Sequence, residues 1–285
     1  MTPKIIRTLA ELREVVAGWK ASGESVGVVP TMGALHQGHL SLVRAAKAQC
    51  DRAIVTIFIN PKQFNTPADY ENYPRTEQED ARKLISLKAD VVYVPDGAQM
   101  YPVGFATTVS VEVITQGLCG AHRPGHFDGV ATIVAKLFSQ TQADRAYFGE
   151  KDYQQLQVVT QLARDLDLPI QVVACPTIRE EDGLAMSSRN LLLSDRARAW
   201  APELNRAMEE MAEGLAAGGD LVVLKTEAIK RIERARFTEV EYLDLRSADK
   251  LELMDSPERP ARLLAAAWLA GVRLIDNIAI DPLGK

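Results

Sequence analysis

Two textures of hydrophobic patterning divide the chain. Up to about residue 175, short apolar runs alternate with segments of helical period; beyond it, two long helical patterns precede three strand-like runs. In the first part the pattern predicts strands at 26–29, 53–59, 91–94, 107–114, 145–148 and 170–174. It predicts helices at 8–21, from His39 to about 48, and at 76–88, 128–140 and 152–166. Leu9, Leu12, Val16 and Trp19 share one side of the first helix, where Thr8 and Glu11 have capping-box spacing, as do Thr76 and Glu79 later. The run 53–59 is apolar and rich in β-branched residues, as a strand buried on both faces requires. Residues 65–75 read as a polar loop. Strands alternating with helices imply right-handed βαβ crossovers and a largely parallel sheet, the α/β fold class.

After residue 176 the texture changes. A long helix at 195–217 stops at Gly218 and Gly219, a second spans 220–236, and strand-like runs follow at 239–245, 262–269 and 272–280. Helices followed by strands predict a separate, smaller C-terminal α+β domain. The expected division is 1–176 and 177–285, with the boundary falling somewhere in 176–193.

Composition narrows the function classes. The 285 residues are 47% hydrophobic and 25% charged with a net charge of −5, which suits a soluble globular protein and gives no electrostatic reason to expect nucleic acid. Anionic substrates would have to be drawn by local groups. Cys50, Cys119 and Cys175 are odd in number and widely spaced, against a disulfide framework or a CxxC metal site. The opening MTPKIIRTLAEL lacks the apolar core of a signal peptide, and the longest apolar run, 263–270, is far too short to span a bilayer. The expectation is a cytoplasmic protein without a membrane partner.

The chemistry-bearing stretch is VGVVPTMGALHQGHLSLVRAAKA, residues 26–48, which reads as strand, glycine-bearing turn and helix. In an open parallel sheet such a turn lies at the carboxyl end of a strand, where ligands bind. The helix start offers unpaired N–H groups and a positive dipole end, both suited to phosphate. His36 and His39 fall in this turn; at HxGH spacing they read as metal ligands, phosphate-binding groups or satisfied core side chains. Gly149, Glu150, Lys151 and Asp152 end a short strand and open a helix, so Lys151 can neutralise phosphate, while Asp152 is equally an N-cap partnered by Gln155. Met186, Ser187, Ser188 and Arg189 follow a turn at 181–183 and combine two hydroxyls with a guanidinium, either as a triphosphate clamp or as a linker. Gln63 lies just past a strand end, where its amide can hold a carboxylate or hydroxyl. Glu79 and Asp80 are candidates for Mg2+, and Arg123 and His126 put a cation and an imidazole on a loop.

Together these motifs resemble one family. PTMGALHQGH (30–39), NPKQF (60–64), YPRT (73–76), RPGHF (123–127), FGEKDYQQL (148–156) and DGLAMSSRN (182–190) follow the order seen in the pantothenate synthetases, AMP-forming pantoate–β-alanine ligases of the HxGH nucleotidyltransferase superfamily. AAWLAG (266–271) and RLIDN (273–277) resemble that family's C-terminal domain, so the resemblance covers nearly the whole chain. Lys62 departs from it, standing where members usually carry an uncharged residue; Gln63 beside it is unaffected.

The resemblance implies a Rossmann-like ATP/pantoate-binding catalytic domain of the HxGH nucleotidyltransferase type and a C-terminal lid domain. It implies an ATP site with Pro30, Thr31, Met32, Gly33, Ala34, Leu35, His36, Gln37, Gly38 and His39 on one side and Met186, Ser187, Ser188 and Arg189 on the other. Gly149, Glu150, Lys151, Asp152 and the backbone near Ile178 would complete it. Gln63 and Gln155 would hold pantoate, with Gln63 also near β-alanine. His39 would be the catalytic histidine, with His36, Lys151 and Arg189 offsetting charge, and Asp80 rather than Glu79 would lie near Mg2+. By the same resemblance the substrates are ATP, pantoate and β-alanine, the intermediate is a bound pantoyl-adenylate, and the protein is a homodimer. Water would hydrolyse that adenylate, so 65–75 and the C-terminal domain are expected to cover it. The alternatives are a transferase acting on a phosphorylated acceptor, which Gln63 and Gln155 do not suit, and a non-catalytic regulator, which would lack His39 or Lys151.

Overall fold

The computed structural model describes residues 2–282. The chain divides into two compact units, Met1–Glu150 with Val158–Pro176 and Lys151–Gln157 with Thr177–Lys285. That Lys151–Gln157 groups with the later residues has no signal in the linear pattern.

The first unit opens with β1 (Lys4–Ile6) and α1 (Leu9–Ala21), capped by the Thr8 hydroxyl, which accepts the Glu11 N–H at 3.3 Å. There follow β2 (Val26–Thr31), α2 (Gln37–Gln49), β3 (Arg52–Ile57), α3 (Pro67–Glu71), α4 (Glu77–Ile85), β4 (Val91–Tyr93) and α5 (Gly97–Met100). After α6 (Cys119–His122), α7 (His126–Thr141) and β5 (Arg145–Gly149), helix α8 (Tyr153–Asp165) leads to β6 (Gln171–Cys175). The strands form one parallel sheet in the order β1-β4-β3-β2-β5-β6. From β2 the chain moves outward through β3 to β4, then returns to the other side of β2 for β5 and β6. The order therefore reverses between β2 and β5, and in open α/β sheets ligands bind at the carboxyl ends of strands at such a reversal. Strand β2 ends there in the histidine turn and β5 in Gly149.

Strands β2 and β3 carry Val26, Val28, Val29, Ile54 and Val55, all buried, with no polar face to offer solvent. Helix α2 sets Leu42, Val43 and Ala46 into one cluster with Val29, Val55 and Val92. Burial of each large aliphatic side chain stabilises by about 1.5–3 kcal/mol. These two strands are accordingly central, and the histidine turn follows directly from one of them.

Several segments depart from their sequence pattern. Residues 107–114 alternate like a strand but pair with none; the Val109 N–H donates to Thr132 Oγ1 at 2.9 Å, the Ser110 hydroxyl to Asp128 at 2.6 Å, and Val113 adopts φ +67°. The 65–75 loop contains α3, started by Pro67 and by the Thr66 hydroxyl, which accepts the Asp69 N–H at 3.1 Å. Thr76 and Glu79 form no capping box: the Thr76 hydroxyl donates to Asp80 instead, and Glu79 bridges Lys83 at 2.7 Å. The three-residue edge strand β1 is too short to register as a pattern.

A further departure lies in the second unit. The expected helix 195–217 is two helices, α9 (Asp195–Trp200) and α10 (Glu203–Ala216), because Pro202 has no N–H to continue the ladder. Helix α10 ends in a Schellman arrangement, the Gly219 N–H donating to Gly214 O at 2.9 Å with Gly218 left-handed at φ +83°. Helix α11 (Leu221–Arg234) follows, then an antiparallel sheet of β7 (Phe237–Ser247), β8 (Ala261–Leu269) and β9 (Val272–Ile280). Leu263, Ala265, Ala267 and Leu269 on β8 share a core with Met208, Met211 and Leu215 of α10. This is an α+β unit with its own core.

One glycine carries a measurable consequence. A Cβ on Gly129, in the first turn of α7, would lie 2.3 Å from the Lys62 carbonyl oxygen, and Asn60 Nδ2 already donates to Gly129 O at 3.0 Å. Backbone meets backbone with no side chain to yield. Gly129→Ala is expected to cost about 1–3 kcal/mol, read as a lower urea midpoint. An unchanged midpoint would mean that the turn at 61–63 gives way freely.

Candidate active site

Strand β2 enters its turn through Thr31, whose hydroxyl donates to Thr56 O at 2.6 Å and accepts the Gly33 N–H at 3.2 Å. Gly33 and Ala34 then take φ of +85° and +50°. Left-handed backbone costs an alanine roughly 1–2 kcal/mol, so something must hold it. Asp80 does. From α4 its carboxylate accepts the Ala34 N–H at 2.9 Å, the Leu35 N–H at 2.8 Å and the Thr76 hydroxyl at 3.0 Å. Lys83, one turn on, donates to Leu35 O at 2.8 Å. A Cβ at Gly33 would press to 3.2 Å from Asp80 Oδ2, so the turn closes tightly over the carboxylate.

The structure thus gives Asp80 an anchoring role that the sequence expectation did not include. Its side chain is wholly buried and its oxygens are committed to the turn, not turned toward a cation. Glu79 is paired with Lys83, and no cluster of three or more His, Cys, Asp or Glu suited to a metal occurs among the described residues. The donor set at this position does not fit a protein-held Mg2+. A signal for the anchoring role existed: Asp80 shares the buried face of α4 with Leu84, four residues on.

Helix α2 begins with His36 as its N-cap. His36 Nδ1 accepts the Gly38 N–H at 3.2 Å, and His39 Nδ1 accepts the His36 N–H at 3.4 Å. The helix start is therefore capped by imidazoles, and the Gly38 N–H is not left unpaired as the sequence suggested. Because each Nδ1 is an acceptor, each neutral ring carries its proton on Nε2. The ring centroids lie 4.1 Å apart, which puts two imidazoles next to each other at the carboxyl end of β2.

Gln63 closes a 3-10 turn that follows β3, and its Nε2 donates to Met32 Sδ at 3.0 Å. Asn60 Nδ2 donates to Gln63 Oε1 at 3.0 Å, and Tyr101 donates to Asn60 Oδ1 at 2.7 Å. Burial pushes the Tyr101 hydroxyl up to about 12, which keeps it a donor. The Gln63 carbonyl accepts Arg123 Nη2 at 3.1 Å and lies 2.8 Å from His126 Nδ1. Arg123 and His126, read from sequence as loop groups, thus brace the Gln63 backbone, and His126 is the first residue of α7.

Within the first unit the fold brings together the 30–39 turn, Gln63 and Asp80, with Gly149 and Glu150 continuing from β5. Ala34 and Leu35 are buried, so their side chains cannot face a ligand.

The second unit holds the remaining candidates. Lys151 and Asp152 lie in a 3-10 turn, their charged atoms 3.6 Å apart, and Gln155 follows in the first turn of α8. The Lys151 carbonyl accepts Asn277 Nδ2 at 3.1 Å. Ile178 pairs with Met186, whose N–H donates to Ile178 O at 3.0 Å, closing a hairpin around Gly183. Arg179 spans this hairpin and is half-buried, paired with the buried Asp276. Burial opposes its charge, but the carboxylate wins and raises the guanidinium pKa. Arg198 holds the Asp182 carboxyl below the usual carboxylate range. The Ser187 hydroxyl accepts the Arg189 N–H at 3.2 Å and caps the short turn Ser188–Leu192, and Ser188 is buried. The linker role of these serines is therefore partly realised. Arg179, Asp276 and Asn277 were not singled out from sequence, although Asp276 and Asn277 fall in the motif RLIDN (273–277).

A parallel sheet with a histidine-capped helix at its point of reversal, followed in the chain by an antiparallel α+β unit, defines a protein of the HxGH α/β class. Residues 4–279 match the family described as pantoate-beta-alanine ligase. A pantothenate synthetase of Roseobacter denitrificans is 62% identical over 280 residues, 98% of this chain and 99% of that protein. One from Ruegeria pomeroyi is 61% identical over 283 residues, 99% of each chain. The crystal structure of a pantothenate synthetase from Thermus thermophilus superposes with a TM-score of 0.93 at 42% identity, covering 98% of this chain and all of that one. A pantoate-beta-alanine ligase from Francisella tularensis, complexed with beta-gamma ATP and β-alanine, gives 0.84 at 34% identity over 97% of each. The chain belongs to the pantoate–β-alanine ligase family.

Proposed function

We propose that this protein condenses (R)-pantoate with β-alanine at the expense of ATP, giving pantothenate, AMP and pyrophosphate through a bound pantoyl-adenylate. The observation that carries the reading is the pair of helix-capping histidines, 4.1 Å apart, at the point where the strand order reverses. Family membership and the complex of the Francisella relative support ATP and β-alanine as substrates.

In the first step a pantoate carboxylate oxygen attacks the α-phosphorus, the bond to the β-phosphate bridge breaks, and pyrophosphate leaves with its electron pair. No protein nucleophile is needed. The protein must align two anions and offset charge building on the phosphate oxygens. His36 and His39 suit this as Nε2–H donors, joined by Lys151 and Arg189. One such preorganised donor is worth roughly 10²–10³ in rate. Gln63 and Gln155 are assigned to pantoate, and the braces on Gln63 support an amide held in one orientation. In the second step the β-alanine amine attacks the acyl carbon, the carbon–oxygen bond to AMP breaks, and the amine loses a proton. ATP would arrive as its magnesium complex, the ion riding on the phosphates rather than on Asp80. The proposal retains residues 1–176 for ATP and pantoate, 177–285 for Met186–Arg189, a homodimer and a cytoplasmic site of action. No described helix is long and apolar enough to cross a membrane.

The test is pyrophosphate release from MgATP with pantoate alone, followed by β-alanine. A burst near one equivalent per site, then turnover to AMP and pantothenate, is the expected result. Release only with a phosphorylated acceptor would replace this reading with nucleotidyl transfer.

A further inference from the structure

We infer that Asp276 and Asn277, adjacent on β9, are positioning residues that hold the two phosphate-handling segments of the second unit: Asn277 for Lys151, and Asp276, through Arg179, for Met186–Arg189. The inference rests on the proposed roles of Lys151 and Arg189. Both residues are buried, 4% and 3% exposed. Successive side chains of a strand point to opposite faces, so one dipeptide can serve a segment on each side of the sheet.

On one side, Asn277 Nδ2 donates to the Lys151 carbonyl at 3.1 Å. Its Oδ1 accepts Arg262 Nη1 at 2.9 Å, which fixes the amide so that the nitrogen faces Lys151. The Arg262 guanidinium also stacks 4.1 Å from the centre of the Tyr153 ring, whose hydroxyl donates to Ala248 O at 2.8 Å. The backbone that carries Lys151 is thus tied at Lys151 and again at Tyr153. On the other side, Asp276 accepts two bonds from Arg179, at 2.6 and 2.9 Å, and Arg179 donates to Gly183 O at 3.0 Å and Asn277 O at 3.3 Å. Arg179 lies at the foot of the hairpin that runs directly into Met186. Asp276 Oδ1 also accepts the Asn277 N–H at 2.7 Å, which joins the two halves. An apolar pair could fill this volume without the desolvation cost of a partly buried ion pair. What the polar pair adds is a fixed register between the two segments.

The test is a pair of double-mutant cycles. Asn277→Asp removes the donor to Lys151 while keeping an acceptor for Arg262, and Asp276→Asn weakens the grip on Arg179. Each is expected to lower kcat for pyrophosphate release about tenfold, since small misplacement of a catalytic group is costly, with KM for pantoate within twofold. In a Lys151→Ala background Asn277→Asp should add no further loss, and the same should hold for Asp276→Asn in Arg189→Ala. The same loss in both backgrounds, or no loss in either, overturns the inference. If Asn277→Asp fails to fold, Arg262→Met leaves Asn277 in place but frees its amide, and should show the same non-additivity at smaller size. ATP affinity by calorimetry is read across both cycles. Parent protein that binds ATP but releases no pyrophosphate with pantoate defeats the proposed function, while non-additive affinity losses would still uphold the positioning role.

Discussion

His39→Ala is expected to lower pyrophosphate release with pantoate by about 10³-fold, at the upper end of what one lost donor to a phosphoryl transition state costs. The ring has two jobs, and they separate by atom. Nδ1 accepts the His36 N–H and helps to cap α2, and Nε2–H is the donor proposed for the α-phosphate. Losing the cap alone costs about 1 kcal/mol of stability and little rate. His39→Asn keeps an acceptor within reach of the His36 N–H but not a donor at the Nε2 position. Stability should therefore return toward the parent in His39→Asn while the rate stays low. His36→Ala removes the N-cap residue itself, so its balance should tilt toward stability. A release rate in His39→Ala within tenfold of the parent would assign His39 to capping alone and leave adenylation to other groups.

Much of the fold was legible because it rests on period and punctuation. The runs at 26–29, 53–59 and 91–94 sit beside helical stretches with clear stops, and alternating elements of that kind admit few topologies. The histidine turn was legible as the carboxyl end of a strand, since a strand–turn–helix unit has only one such end. Residues 107–114 misled because alternation reports two faces, not a partner strand; here the segment's Val109 N–H and Ser110 hydroxyl go to α7 side chains. Pro202 was visible, but helical period on both sides of it masked the break. The supports of the site were hardest to read. Asp276 and Arg179 are 97 positions apart, and Asp80 meets Ala34 across 46, so no local spacing announces either contact. Function-bearing residues cluster in short motifs, whereas the groups that hold them are scattered by the topology.

Asp80 supplies the sharpest division between two roles for one carboxylate. Asp80→Asn preserves shape but turns one oxygen into a donor. Whichever way the amide lies, it sets an N–H against that of Ala34 or Leu35 in a site without solvent. A buried donor left unpaired costs about 1–3 kcal/mol, and the charge-assisted bonds lost add to it, so a stability loss of about 3 kcal/mol or more is expected by urea unfolding. The left-handed backbone at Gly33 and Ala34 would lose its anchor, and the displaced histidine turn should slow pyrophosphate release about 100-fold. A magnesium ligand would behave differently: its loss would raise the Mg2+ concentration needed for half-maximal rate, and added Mg2+ would restore activity. The anchor predicts an unchanged Mg2+ dependence and no rescue. Thr76→Val, which removes only the hydroxyl bond to the same carboxylate, should show a weaker form of the stability loss and again no change with Mg2+. Rescue of Asp80→Asn by Mg2+ with stability intact would return the carboxylate to the metal and leave the Ala34 conformation without its support.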